Sequence, residues 1–164
     1  MRRLTLVRHA KSGWKDTGQT DFERPLNRRG KRDAPEMGRR LAAWSERPTL
    51  VLASPARRAV ETTEALIVSW SPRPRVVWEH ELYLASADQL LACVNDLEPA
   101  HRHVLLVGHN PGLTDFLNRF GEASLERLPT CGIVRLRLWV PEWSDVGWGT
   151  AGLERIESPT SSAP

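Results

Sequence analysis

Apolar residues in this chain come in short runs separated by longer stretches with helical spacing. Leu4-Thr5-Leu6-Val7, Thr49 to Ala53, Arg75 to Trp78 and Val104 to Val107 are compact runs of strand formers. Runs this short, bounded by polar or turn residues, read as strands, and the most apolar of them fit a parallel sheet buried on both faces. Between them, Ala34, Met37, Leu41 and Trp44 recur at helical spacing. So do Ala59, Thr62, Thr63, Leu66 and Ile67, and then Leu90, Leu91, Val94 and Leu97. Each set is the one-sided stripe of a helix lying on a sheet.

Start and stop signals sharpen the pattern. Pro25-Leu26-Asn27 opens the first helix with Asn27 as its cap. Gly30 and Pro35 predict a weak or kinked first half, or a restart capped by Asp33. Arg47-Pro48 ends it. Ser54 is placed to cap the second helix with Pro55 at its first position, and that helix should run to about Trp70. Ser86-Ala87-Asp88-Gln89 reads as a capping box for the third, which ends at Glu98-Pro99. A fourth follows Gly108 to Gly112, from about Leu113 to Phe120. Ile133 to Val140 alternates, with Val134, Leu136 and Leu138 on one face and Arg135, Arg137 and Trp139 on the other, as in a half-exposed strand near a sheet edge. Pro141 to Gly152 is rich in turn residues, and Leu153 to Ile156 could pair back as a last edge strand. Asp16 to Arg24 is polar and aperiodic, a loop near the ends of the strands. Strands alternating with helices predict an α/β fold, a three-layer α/β/α sandwich with a mostly parallel sheet. One domain is expected over residues 1–157, with Ser158 to Pro164 a disordered tail.

Composition narrows the functional classes. The 164 residues are 40% apolar and 26% charged, as in ordinary globular proteins. No apolar run approaches the roughly 20 residues that span a bilayer. Met1-Arg2-Arg3 leads straight into a run too short for a signal peptide, so a cytoplasmic protein is expected. Cys93 and Cys131 have no metal-ligand spacing and read as reduced structural thiols. The net charge of +3 comes from 23 basic and 20 acidic side chains. It is too small to predict a nucleic-acid binder. The clusters Arg28-Arg29-Lys31-Arg32 and Arg39-Arg40 are interrupted by acids and read as a solvated helix face, which could still attract an acidic protein partner.

The chemistry gathers at three strand ends. Arg8-His9 follows the first strand, Ser54-Pro55-Ala56-Arg57-Arg58 the second, and Gly108-His109 the fourth. Parallel sheets place ligands at their carboxyl ends. Guanidinium groups there suit phosphoryl oxygens, and an imidazole can act as nucleophile, base or acid near neutral pH. The three segments VRHAKSGW, SPARRAVET and VGHNPG, in this order, resemble the histidine phosphatase superfamily, which includes the phosphoglycerate mutases. RPLNRRG, ELYLAS and LPTCGIV support the likeness, which is strongest to the small SixA-like phosphohistidine phosphatases and runs from about Leu4 to Leu138. The resemblance implies a phosphoglycerate mutase-like fold without the large inserted cap.

By position, the resemblance makes His9 the nucleophile that forms a transient phosphohistidine. Arg8 and Arg58 then bind the phosphoryl oxygens, and His109 sits across the phosphoryl group as a donor. Arg57 remains a competitor of Arg58. Ser12 is a candidate for a further phosphate hydrogen bond, or a simple turn residue. Many relatives place a proton-donating Glu after the third strand, and here Glu79 and Glu81 are the candidates, Glu81 the better placed. Neither falls in a clear acid motif. That weakly favours phosphohistidine, whose imidazole leaves without strong acid help, over a sugar phosphate. Lys15 stands where mutase-like members carry an Asn, which argues against mutase activity. Ala10 replaces the Gly of the commoner first motif, a change that a negative φ tolerates. The implied function is a metal-independent phosphatase without cofactor. Its implied substrate is a phosphorylated protein such as a histidine-containing phosphotransfer domain. The alternatives are a small-molecule phosphomonoesterase with the same nucleophile, or a non-catalytic phosphate-binding module.

Overall fold

The computed structural model describes residues 1–14, 18–121 and 124–161. Among them, six strands form one sheet: β1 (Arg2–Arg8), β2 (Leu50–Ala53), β3 (Arg75–Trp78), β4 (His103–Gly108), β5 (Ile133–Leu138) and β6 (Ala151–Glu157), in the order β3-β2-β4-β1-β5-β6. The first four in that order run parallel. β5 is antiparallel to β1, and β6 to β5. Helices α1 (Arg28–Ala42) and α2 (Arg57–Ile67) cover one face, with α3 (Ala87–Asn95) and α4 (Gly112–Arg119) on the other. The period-two alternation of the strands divides the core. Val7, Val51, Leu105 and Ile133 face α1 and α2, while Leu4, Leu6, Leu52 and Leu106 face α3 and α4. The result is the expected three-layer α/β fold, and no large inserted cap interrupts the described chain.

Register decides where the chemistry goes. Arg8 pairs with Gly108 across β1 and β4, so His9 and His109 each stand one residue beyond a matched pair of strand ends. The His9 amide donates to the Gly108 carbonyl at 3.1 Å and the Ser54 amide to the Val107 carbonyl at 3.1 Å. The tips of β1, β4 and β2 are thereby held side by side.

Several local expectations change. Pro35 does not interrupt α1, and Asp33 starts no new helix. Instead Asn27 accepts from the Gly30 amide at 3.0 Å, and the helix runs unbroken. Packing explains this: a Cβ on Gly38 would lie 2.2 Å from the Leu66 carbonyl oxygen, so α1 and α2 touch backbone to backbone. Tertiary contact of that kind outweighs a local propensity. Ser54 does not cap α2, which begins at Arg57 without a side-chain cap and ends at Ile67, short of Trp70. β5 lies beside the edge strand, as its alternation predicts, but it is buried rather than half-exposed. Arg135 imitates an exposed position, yet it is buried over the Trp44 ring and bonded to Glu154 at 2.8 Å. The edge position belongs to β6, as the final run predicts. Residues 158–161 form a turn, and Arg40 donates to the Ser158 and Ser161 carbonyls at 3.2 and 3.1 Å. Residues 162–164 lie outside the described residues, as does Lys15.

Candidate active site

A cleft of about 320 Å³ opens over the tips of β1, β2 and β4. Arg8, His9, Arg58 and His109 all line it, together with Ser12, Asp21 and Arg24. The two imidazole rings stand 5.2 Å apart, centroid to centroid.

His9 is buried, and its Nδ1 lies 2.8 Å from the Ala10 carbonyl oxygen. A carbonyl only accepts, so Nδ1 carries the ring proton and Nε2 presents a lone pair. Arg58 Nε lies 3.4 Å from that lone pair. Burial first, and then the charges of Arg58 and Arg8, push the His9 ring down to about 3, against the partial lift of the Ala10 bond. The ring is neutral at physiological pH, as a nucleophile must be.

His109 is also buried. Its Nε2 lies 2.7 Å from Ser54 Oγ, and its Nδ1 is buried without a protein partner. Burial, then His9 and Arg58, lower this ring to about 3 as well. Ser54 Oγ already accepts from the Ala56 amide at 3.2 Å. The residue predicted as a helix cap therefore orients the second imidazole.

The arginines divide clearly. Arg58 is 2% exposed and donates to the Asp21 carbonyl at 2.7 Å and to Asp21 Oδ2 at 3.0 Å. Arg57 points away, exposed, toward Glu61 at 3.4 Å. The competition left open by the sequence is settled for Arg58 as the residue facing the cleft. Arg8 donates from Nη1 to the Leu128 carbonyl at 3.0 Å, and its Nε is buried without a protein partner. Burial, then Arg127, Arg24 and Arg58, lower its guanidinium to about 10. Burial accounts for most of this depression, and the three neighbouring guanidinium groups that add to it make the site suited to a dianion.

Asp21 was not singled out from the sequence, beyond lying in a polar stretch near the strand ends. Its Oδ2 accepts from Tyr83 Oη at 2.5 Å and from Arg58, and its Oδ1 accepts from Arg24 at 2.9 Å. Burial alone would raise this carboxyl. Hydrogen bonds from Tyr83 and Arg24 and the charge of Arg58 outweigh it and hold the group below the usual carboxylate range. Ser12 accepts a hydrogen bond from Arg24 at the cleft wall. Arg24 and Tyr83 complete the set that sequence reasoning missed, although both lie in supporting stretches of the family likeness.

Glu81 does not join the cleft. It is exposed on a 3-10 turn, His80–Leu82, where its amide donates to Glu79 at 3.4 Å. That turn buries Leu82 and sends the Tyr83 ring inward, edge-on to His109 at 5.5 Å. Asp21 is the carboxylate among the lining residues. Two backbone features fix the loop that carries His9. Cys131, buried and at φ 58°, donates its amide to the Arg8 and His9 carbonyls at 3.0 and 3.1 Å. The Asn27 amide donates to the Lys11 carbonyl at 2.9 Å, and a Cβ on Gly30 would lie 2.1 Å from that same oxygen. Among the described residues, no three His, Cys, Asp or Glu side chains gather as a metal site, and no helix is long and apolar enough to cross a membrane.

Comparison with known proteins agrees with this geometry. The profile of the histidine phosphatase superfamily (branch 1) matches residues 4–82. An uncharacterised protein of Mycobacterium tuberculosis is 31% identical over 163 residues, covering 93% of this chain and 99% of its own. An uncharacterised chloroplast protein of Arabidopsis thaliana is 29% identical over 98% of this chain and 79% of its own. Among solved structures, one ascribed to the phosphohistidine phosphatase SixA of Nakamurella multipartitia superposes with a TM-score of 0.85 at 26% identity, covering 98% of this chain and 97% of that one. Its counterpart from Agrobacterium tumefaciens gives 0.81 at 28% identity, over 96% and 99%. The chain belongs to the histidine phosphatase superfamily and, within it, to the SixA-like branch. It is a hydrolase of the phosphatase type.

Proposed function

We propose that the protein removes the phosphoryl group from phosphohistidine on a protein partner, through a phosphohistidine formed on His9. The observation that carries this reading is the state of His9: a neutral ring whose Nδ1 proton is committed to Ala10, leaving the Nε2 lone pair beside Arg58 and across from His109. In the first step Nε2 attacks phosphorus. The P–Nε2 bond forms as the bond to the substrate imidazole breaks, and that imidazole departs with the proton it already carries. In the second step water attacks phosphorus and the P–Nε2 bond breaks. His9 is again neutral with its Nδ1 proton, and inorganic phosphate leaves carrying the oxygen and both protons of the water. Arg8 and Arg58 hold the phosphoryl oxygens throughout and offset the charge that gathers on them in both transition states. His109 lies beside the same oxygens. A bound dianion raises its affinity for a proton, so it acts as a donor during the reaction and need not be charged in the empty cleft.

The carboxylates favour a phosphoramidate over an alkyl phosphate. An alkoxide needs an acid to protonate it as it leaves. Asp21 is held ionised by its three donors, and Glu81 stands outside the cleft. The test is phosphate release from a phosphorylated histidine-containing phosphotransfer domain, with His9→Ala as control and a phosphoserine peptide and a sugar phosphate run in parallel. Rapid quench should trap an acid-labile phosphoenzyme in the native protein. Turnover that survives His9→Ala, or that requires a chelatable metal, would refute the mechanism. Faster turnover of the sugar phosphate would move the assignment to a small-molecule phosphomonoesterase. Binding of phosphate without turnover would make the cleft a binding module.

A further inference from the structure

The first turn of α1 breaks a local rule. A helix amino terminus carries the positive end of the backbone dipole and favours acidic side chains. Here it holds Arg28, Arg29, Lys31 and Arg32, with no acid in the first turn. Asp33 neutralises part of this, bonding Arg29 and Arg32 at 3.4 and 3.3 Å, but it is buried beneath them. Arg28 and Lys31 are exposed and have no acidic partner among the described residues. Residues that oppose local stability tend to serve function.

Position tells which function. The Asn27-to-Lys11 backbone bond seats this turn against the loop that carries His9. Lys11 and Arg24 line the cleft, and Arg24 stacks over Trp14 at 5.2 Å. Exposed or cleft-lining cations therefore stand on both sides of that bond, Lys11 and Arg24 at the cleft and Arg28 and Lys31 on the helix. Trp14, 61% exposed, and Leu84, 55% exposed, give the mouth an apolar contribution that a free phosphate would not use. The lining itself carries five cations, Arg8, Lys11, Arg24, Arg58 and Arg127, against the single acid Asp21. The difference, 5 − 1 = +4, exceeds the charge of one phosphoryl dianion.

Resting on the proposed function, we infer that α1 and the first loop form a docking strip for an acidic protein surface, which presents its phosphorylated residue to the cleft. The occupant is a protein whose phosphohistidine is surrounded by Asp and Glu side chains. These meet Lys11, Arg28 and Lys31 while an apolar contact covers Trp14. Charge complementarity of this kind sets encounter rate and partner choice more than the chemical step.

The test uses the full chain and three substrates: phosphoramidate, a phosphohistidine peptide flanked by Asp and Glu, and the same peptide flanked by Ser and Gln. At low ionic strength the acidic peptide should show a KM about tenfold below the neutral one, and the gap should close as salt shortens the screening length. The double variant Arg28→Glu/Lys31→Glu should erase that preference and leave the kcat/KM for phosphoramidate unchanged. It should also raise Tm, because acids replace bases at the helix amino terminus. A higher Tm with a lost preference separates docking from folding. Equal KM values for the two peptides in the native protein, or an acidic preference that survives charge reversal, would overturn the docking strip and leave the proposed function standing. Salt-sensitive binding of an RNA oligomer that is lost in the variant while peptide preference persists would reassign the strip to nucleic acid. Failure to hydrolyse any of the three substrates would instead refute the functional reading.

Discussion

Three imidazoles are folded away from water in their neutral form, and that makes the protein sensitive to mild acid. His9 and His109 are each lowered to about 3, and His103, at the start of β4 and 2.7 Å from the Thr5 hydroxyl, to about 4, in every case first by burial. In the unfolded chain each ring titrates near its ordinary value of about 6.5. Between these limits the unfolded state binds protons that the native state refuses, so stability falls as pH drops. At pH 5.5 the loss relative to neutral pH is about 1.4 kcal/mol per ring, or about 4 kcal/mol for all three, a large share of a typical total of about 5–15 kcal/mol. The carboxylates act in the opposite pH range. Glu154 is held near 2 and Asp21 below the usual carboxylate range, burial being outweighed by hydrogen bonds from Arg137 and Arg3 in the first and from Tyr83 and Arg24 in the second. Their stabilisation is complete above the ordinary carboxylate pKa and is lost only at more acid pH, so they do not contribute between pH of about 5.5 and 7.5. Denaturant unfolding at those two pH values should show the loss in the native protein. Of the three buried imidazoles the His9→Gln/His109→Gln variant retains only His103, and it should lose about 1.4 kcal/mol over the same interval. Equal losses in the two proteins would show that the cleft imidazoles are not held neutral, and the assignment of His9 as a lone-pair nucleophile would fall with it.

Three further predictions follow from single side chains. Asp21→Asn keeps the shape of the group that grips Arg58, Arg24 and Tyr83 but removes its charge. Steady-state kinetics should show kcat/KM lower by about 10- to 100-fold with the fold intact by circular dichroism. Gly30→Ala drives a methyl into the Lys11 carbonyl, so it should cost about 1–3 kcal/mol in denaturant unfolding and lower kcat by displacing the His9 loop. Glu81→Gln, on an exposed turn outside the cleft, should change phosphate release from phosphohistidine by less than about twofold; a loss of about tenfold or more would restore Glu81 as a proton donor.

The layered fold and the four side chains of the cleft were legible because they follow apolar runs. Arg8, His9 and His109 sit at or just beyond a recognisable strand and strand register brings them together, while Arg58 stands in the first turn of the helix that follows β2. Asp21 was not legible, since it lies in a segment without periodicity and reaches the cleft only through its arginine and tyrosine partners. Ser54 carried a local signal that pointed elsewhere: Ser-Pro before a helical stripe reads as a cap, yet its hydroxyl serves His109. Glu81 lies outside the cleft for the related reason that spacing places a residue near a strand end without fixing which way a following turn directs it. Pro35 and Arg135 misled because backbone contact at Gly38 and an ion pair with Glu154 override propensity and polarity.

Cys131, whose amide ties the start of β5 to the loop of His9, also bears on resistance to oxidants. Burial, then Asp33, pushes its thiol up to about 12, and burial, then Glu79 and Glu81, raises Cys93 to about 11. Peroxide attacks thiolates, and neither cysteine supplies one at physiological pH. If catalysis runs through the His9 imidazole as proposed, phosphate release should continue under a peroxide burst that would silence a cysteine-dependent phosphatase.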